Sequence, residues 1–166
     1  MTEYLWARVS PEEARVVRAY MANYPVKVGE LAAQLGLEVY KSPLQPTISG
    51  MIKPSERHPG GYEIRVNKYE APERQRFTLA HEIAHFLLHK DDIRAGVVDS
   101  VMYRSALTSR KEAEANRLAA DIVMPQESVQ RELLTLGGVA TEDVADRLAR
   151  IFRVSTPAMR IRIGLS

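Results

Sequence analysis

The chain has 166 residues, 45% of them apolar and 27% charged, with 23 basic against 21 acidic side chains and a formal net charge of +2. That is the make-up of one globular domain able to bury a sizeable core, without a global nucleic-acid or membrane signature. The absence of cysteine excludes disulfides, thiolate nucleophiles and cysteine-type zinc clusters, so any metal must be held by nitrogen and oxygen.

In chain order, the start MTEYLWARVSPEEAR lacks the basic opening and apolar middle of a signal peptide, and no later run approaches a membrane span. A cytoplasmic location with no membrane partner is the expectation. Ser10, Pro11 and Glu13 form a capping-box helix start, followed by Val16, Val17 and Tyr20 at helical spacing. PVKVGELAAQLGLEVYK predicts a second short helix closed by Gly36, then a strand at about 37–41. TISGMI and GYEIRVN predict strands joined by the turn-prone PSERHPGG. Alternation of Ile64 and Val66 with Arg65 and Asn67 suggests a half-exposed or edge strand, one that an extended peptide could join.

APERQRFTLAHEIAHFLLHK predicts a long helix with Pro72 near its start, and 91–108 an irregular connection. A helix from Ser109 is stopped by Pro125, another ends at Gly137-Gly138, and one or two short helices finish the chain. There is no repeat and no convincing linker. The fold class is α+β in one domain spanning 1–166, with an N-terminal helix in 1–24, a core in 25–125 and a helical C-terminal region in 126–166.

The chemistry concentrates in RFTLAHEIAHFLLHK. Positions four apart on a helix differ by only about 40° and one turn, so His81 and His85 can aim their rings at one ion. Glu82, beside the first histidine, is badly placed to bind that ion and well placed as a base for its water. The chain has four histidines, and three of them sit in this apolar run, where an unpartnered polar group is costly.

A third ligand is needed. His89 shares the face, but about 12 Å of helix rise separates it from His81, too far for one tetrahedral ion. It is expected to end the helix, where a histidine suits the negative dipole. KEAEANRLAADIVMP offers Glu112 and Glu114, which point about 200° apart, so only one can face the metal. Glu112 is the choice. Ala115 and Ala119 flank it and permit close helix approach, and Asn116 is placed to hydrogen-bond a metal-binding side chain from behind. Glu114 is expected on solvated helix surface. Zinc is the preferred ion, although two histidines and a carboxylate also accept manganese or iron.

ISGMI, YEIRVN, RQRFTLAHEIAHFLLH and KEAEANRLAADIVMP, in this order, resemble the ImmA/IrrE-type metallopeptidases. The similarity runs from VKVGELAAQLGLEVY to the end of the chain. Leu118 and Ile122-Val123 stand where typical relatives have Phe and Leu-Leu, which are conservative apolar changes. The resemblance implies a zincin-like fold, a small sheet packed beside the active-site helix, and a single metallopeptidase domain. It implies zinc held by His81, His85 and Glu112, with Glu82 as general base. It also implies a protein substrate: a helix-turn-helix repressor, often encoded on a mobile element or in a stress-response operon. Hydrolysis of a peptide bond also needs a stabiliser for the oxyanion, and Arg76, Tyr103 and Arg104 are unranked candidates.

Two other classes of function compete. The segment around Arg153-Val154-Ser155 looks somewhat like a helix-turn-helix, and Arg147, Arg150, Arg153, Arg160 and Arg162 add local charge for DNA phosphates. The plainer expectation is that Val144, Leu148, Ile151 and Phe152 are core, the arginines are solvated, and nucleic acid is not bound directly. The third class is a regulatory or antitoxin-like binder that sequesters its partner without cleaving it.

Overall fold

The structure is a computed structural model that describes residues 2–59, 61–94 and 109–165. Short helix α1 (Glu3–Trp6) leads into α2 (Pro11–Met21), where Ser10 accepts the Glu13 N–H at 3.2 Å. Helix α3 (Val28–Gln34) ends at Gly36, whose φ of +82° suits a residue without Cβ. Strands β1 (Leu37–Ser42), β2 (Gly50–Pro54) and β3 (Tyr62–Asn67) form a sheet in the order β1-β3-β2, with β1 parallel and β2 antiparallel to β3. Then come α4 (Pro72–Leu88), α5 (Lys90–Arg94), α6 (Ser109–Val123), α7 (Gln126–Thr135), α8 (Glu142–Phe152) and α9 (Thr156–Arg162). The architecture is α+β and zincin-like: a small mixed sheet against one central helix, with a helical C-terminal part. Among the described residues no helix is long and apolar enough to cross a membrane.

Helix α4 is that centre. It packs on β2 and β3 on one side and along α6 on the other, and every residue from Thr78 to Leu87 is buried. Ala115, Leu118, Ala119 and Ile122 of α6 are fully buried, so small and apolar side chains let the two helices meet closely, as expected. Asp121, farther along α6, ties the two ends of the chain together. It accepts hydrogen bonds from Thr2 Oγ1, from Trp6 Nε1 at 3.0 Å and from Arg162 Nη2 at 3.4 Å. Asp121→Ala leaves these donors unmatched and is expected to cost about 1.5–3 kcal/mol, read as a lower midpoint in urea unfolding. An unchanged midpoint removes Asp121 from any part in stability.

Strand β3 departs from expectation. It is the middle strand, paired on both edges, and so it offers no edge to a peptide. Its Glu63 and Asn67 are buried because they are satisfied. Arg65 Nε donates to Glu63 at 2.8 Å, and Asn67 Nδ2 donates to the carbonyls of Leu44, Gln45 and Ile48, clamping the loop below the sheet. Alternation therefore marked two faces, with Ile64 and Val66 buried on one and Glu63 and Asn67 buried on the other. Residues 90–94, within or beside the segment expected to be irregular, form the helical turn α5 with Ile93 buried; 95–108 lie outside the described residues.

The C-terminal pair α8 and α9 turns at Arg153, in the left-handed region at φ 55°. Val144, Leu148 and Phe152 are buried and Ile151 is half-buried, as the plainer reading required. Three of the arginines form ion pairs: Arg147 with Asp143, Arg160 with Glu142 and Arg162 with Asp121.

Candidate metal centre

One turn of α4 brings His81 Nε2 and His85 Nε2 to 3.1 Å from each other, both rings nearly fully buried. The first turn of α6 adds Glu112, with Oε1 3.2 Å from His81 Nε2 and Oε2 3.0 Å from His85 Nε2. An ion with tetrahedral bonds near 2.0–2.1 Å needs ligand atoms about 3.3 Å apart. The two imidazole nitrogens and the Glu112 carboxylate, one oxygen toward each ring, stand close to that spacing, and among the described residues they form the one group of three or more with metal-ligating geometry. The donor set, two imidazoles and a carboxylate, suits zinc. Burial alone would raise the Glu112 carboxyl. The facing imidazoles of His81 and His85 outweigh it and hold the group well below the usual carboxylate range, so it is an anion at neutral pH.

Glu82 is fully buried on α4 between the two histidines. The sheet meets it at Gly50, the first residue of β2. A Cβ there would lie 2.5 Å from Thr78 Cγ2, 2.8 Å from the Arg65 carbonyl oxygen and 3.5 Å from Glu82 Oε2. The missing side chain is what lets β2 lie against Thr78 and the β3 backbone, next to the carboxylate. Gly50→Ala forces the strand away and is expected to cost about 1–3 kcal/mol, checked by chemical denaturation; full stability would contradict this packing.

The other sequence-predicted residues are placed as follows. His89 caps α4 and is buried. Its Nδ1 lies 2.9 Å from His85 Nδ1, on the side of the ring opposite the Nε2 that faces Glu112. It is thus no ligand to that ion. Glu114 is not on solvated surface. It is 4% exposed, with His89 Nε2 at 3.0 Å from Oε1 and Arg8 Nη1 at 2.8 Å from Oε2. The 200° separation on α6 did aim it away from the ion, but into a second buried cluster rather than into water.

Asn116 does not support a ligand among the described residues. It is exposed and lines an apolar cavity with Phe77, Ala120 and Ile161. It shares a face with Glu112, but α6 runs toward the start of α4, so one more turn carries it from the histidines to Phe77. Arg76 is not at the centre either. It donates to the carbonyls of Arg153 and Phe152 and so caps the end of α8. Tyr103 and Arg104 lie outside the described residues. His58, the fourth histidine, sits 3.2 Å from Glu38 on an exposed turn.

The polar support that sequence reasoning missed is therefore His89 with Glu114. The signal available was their burial-prone setting, since His89 follows Phe86-Leu87-Leu88 and Glu114 precedes Ala115. Their partner Arg8 is more than a hundred positions from Glu114, and no local pattern points to it.

Comparison with known proteins agrees with this geometry. The chain is 30% identical over 150 residues to the radiation response metalloprotease IrrE of Deinococcus deserti, an alignment covering 84% of this chain and 53% of that protein. It is 37% identical over 86 residues to the protein of the same name from Deinococcus radiodurans, covering 51% of this chain and 26% of that one. The chain thus spans about half or less of the length of these curated relatives. Its fold resembles that of a Mycobacterium tuberculosis transcriptional regulator, with a TM-score of 0.61 at 18% identity over 92% of this chain and 46% of that one. The family model for the IrrE N-terminal-like domain, Peptidase_M78, matches residues 32–164, which include α4, α6 and every residue of the candidate centre. The chain belongs to the IrrE N-terminal-like domain family.

Proposed function

We propose that this chain is a metal-dependent endopeptidase acting in the cytoplasm, with zinc as the preferred ion and manganese or iron as accepted alternatives. The observation that carries the reading is the convergence of His81 Nε2, His85 Nε2 and the Glu112 carboxylate, whose Oε1 and Oε2 lie 3.2 and 3.0 Å from the two nitrogens, beside the buried carboxylate of Glu82. Membership of a family whose relatives are named metalloproteases supports it. Bound zinc would supply Lewis acidity, polarising a peptide carbonyl and acidifying water.

The chain's own residues do the rest. His81, His85 and Glu112 hold and orient the ion. Glu82 takes a proton from the attacking water and returns it to the leaving amine, a general-base step followed by a general-acid step. Burial of the two rings and of Glu82 keeps bulk water from competing. The side chain of Glu112 is 23% exposed, so the approach to the centre lies on its side.

The proposed substrate is a helix-turn-helix repressor, the target class implied by the motif resemblance. A direct test labels the new protein N-termini that appear when the zinc-loaded chain is added to an extract of the organism that encodes it, with a Glu82→Gln control. Cleavage within a helix-turn-helix protein, seen only with the native chain, is the expected result. No new termini would overturn the peptidase reading. Inactivation of the repressor by both proteins would make this chain a binder.

A further inference from the structure

We propose that His89 and Glu114, with Arg8, form a one-way hydrogen-bond chain that fixes His85 in the tautomer able to bind a metal. The inference rests on His85 being a metal-binding residue. Its geometry runs in one line from α4 through α6 to the turn after α1. His85 Nδ1 faces His89 Nδ1 at 2.9 Å, His89 Nε2 faces Glu114 Oε1 at 3.0 Å, and Arg8 Nη1 lies 2.8 Å from Glu114 Oε2. His85, His89 and Glu114 are 1%, 3% and 4% exposed, so no solvent offers them a substitute partner.

The direction follows from the donor inventory. An arginine only donates, so Glu114 Oε2 is an acceptor. The buried ion pair with Arg8 makes the group a carboxylate, so it accepts at Oε1 too. The facing His89 Nε2 must then carry a proton. Arg8 already neutralises Glu114, so a second proton on this buried ring would have no counter-charge of its own, which leaves Nδ1 as its acceptor. His85 Nδ1, opposite it, is therefore the donor, and a ring that carries one proton carries it there. Its Nε2, the atom facing Glu112 and His81, keeps its lone pair for a metal. A metal-binding histidine is commonly oriented by a partner on its other nitrogen. Here that partner is a second histidine, polarised in turn by a buried carboxylate and an arginine.

Arg8 lies before residue 32, where the family match begins, so part of this polarity is set by the N-terminal segment. These are positioning residues: none of the three reaches the centre between His81, His85 and Glu112.

The test uses the full chain and two readouts, the imidazole tautomers by long-range proton–nitrogen NMR in the metal-free protein and zinc affinity by competition with a chromophoric chelator. His85 of the native chain is expected to carry its proton on Nδ1. Glu114→Gln is nearly isosteric. Arg8 holds the amide oxygen, which turns the NH2 toward His89 Nε2 and reverses the chain. The His85 proton moves to Nε2, and zinc affinity falls about 10–100-fold. Adding Arg8→Met frees the amide to rotate, because the remaining Arg110 contact is long at 3.5 Å and exposed. Most of the lost affinity then returns. A purely structural role predicts the opposite, a double variant weaker than either single one. A native His85 protonated on Nε2, a doubly protonated His89, or unchanged affinity in Glu114→Gln would overturn the proposal. The native tautomer decides the matter even if a variant fails to fold. A native chain with the expected tautomer but no zinc affinity would overturn the metal site and leave the hydrogen-bond chain standing.

Discussion

Glu82→Gln is expected to leave the chain folded and metal-loaded while its turnover of a cleaved peptide drops by about 10²–10⁴-fold, the usual share of a general base. The substitution keeps the size of a fully buried side chain and removes only the ability to take a proton. Glu82 stands outside the cluster of His81, His85 and Glu112, so metal content should not change. The measurement pairs steady-state kinetics on that peptide with elemental analysis of the same preparation. Loss of zinc along with activity would make Glu82 a ligand or a structural support instead of a base. Full activity would remove it from the mechanism.

Glu112→Ala is the second large effect. It takes one of three ligand atoms and leaves two buried imidazoles with an incomplete shell. Zinc affinity is expected to fall by more than the roughly 10–100-fold that loss of an outer hydrogen-bond partner costs, with activity lost at any practical zinc concentration. Chelator competition reads the affinity. Retention of native affinity would mean that the third ligand is elsewhere. Because Glu112 is partly exposed and at the start of α6, the variant should still fold, which separates loss of the ion from loss of the structure.

Much of this site was readable from short-range pattern. The His81-Glu82-x-x-His85 spacing needs only helix geometry, and that helix is visible in its apolar run and in Pro72. Choosing Glu112 over Glu114 also followed from helix angle and small neighbours. The errors share one physical cause. Whether a polar side chain is solvated or buried depends on partners supplied by distant segments, and a local pattern cannot contain them. Glu114 looks like surface until Arg8 and His89 are placed beside it. Arg65 and Asn67 make β3 look half-exposed until Glu63 and the loop carbonyls accept their hydrogen bonds. Asn116 fails for a related reason: the antiparallel run of α6 along α4 sets which turn meets the histidines, and facing angle alone does not. Arg76 likewise looked free for an oxyanion, but two carbonyls at the end of α8 claim it.

The central claim is that His81, His85 and Glu112 together hold the catalytic ion. Its most direct test is a crystal of the full chain grown with zinc, with diffraction recorded on both sides of the zinc absorption edge. The account predicts a single strong anomalous peak about 2.0–2.2 Å from His81 Nε2, His85 Nε2 and a Glu112 oxygen. A peak seated on other residues, or none at those three atoms in a zinc-saturated crystal, would contradict it.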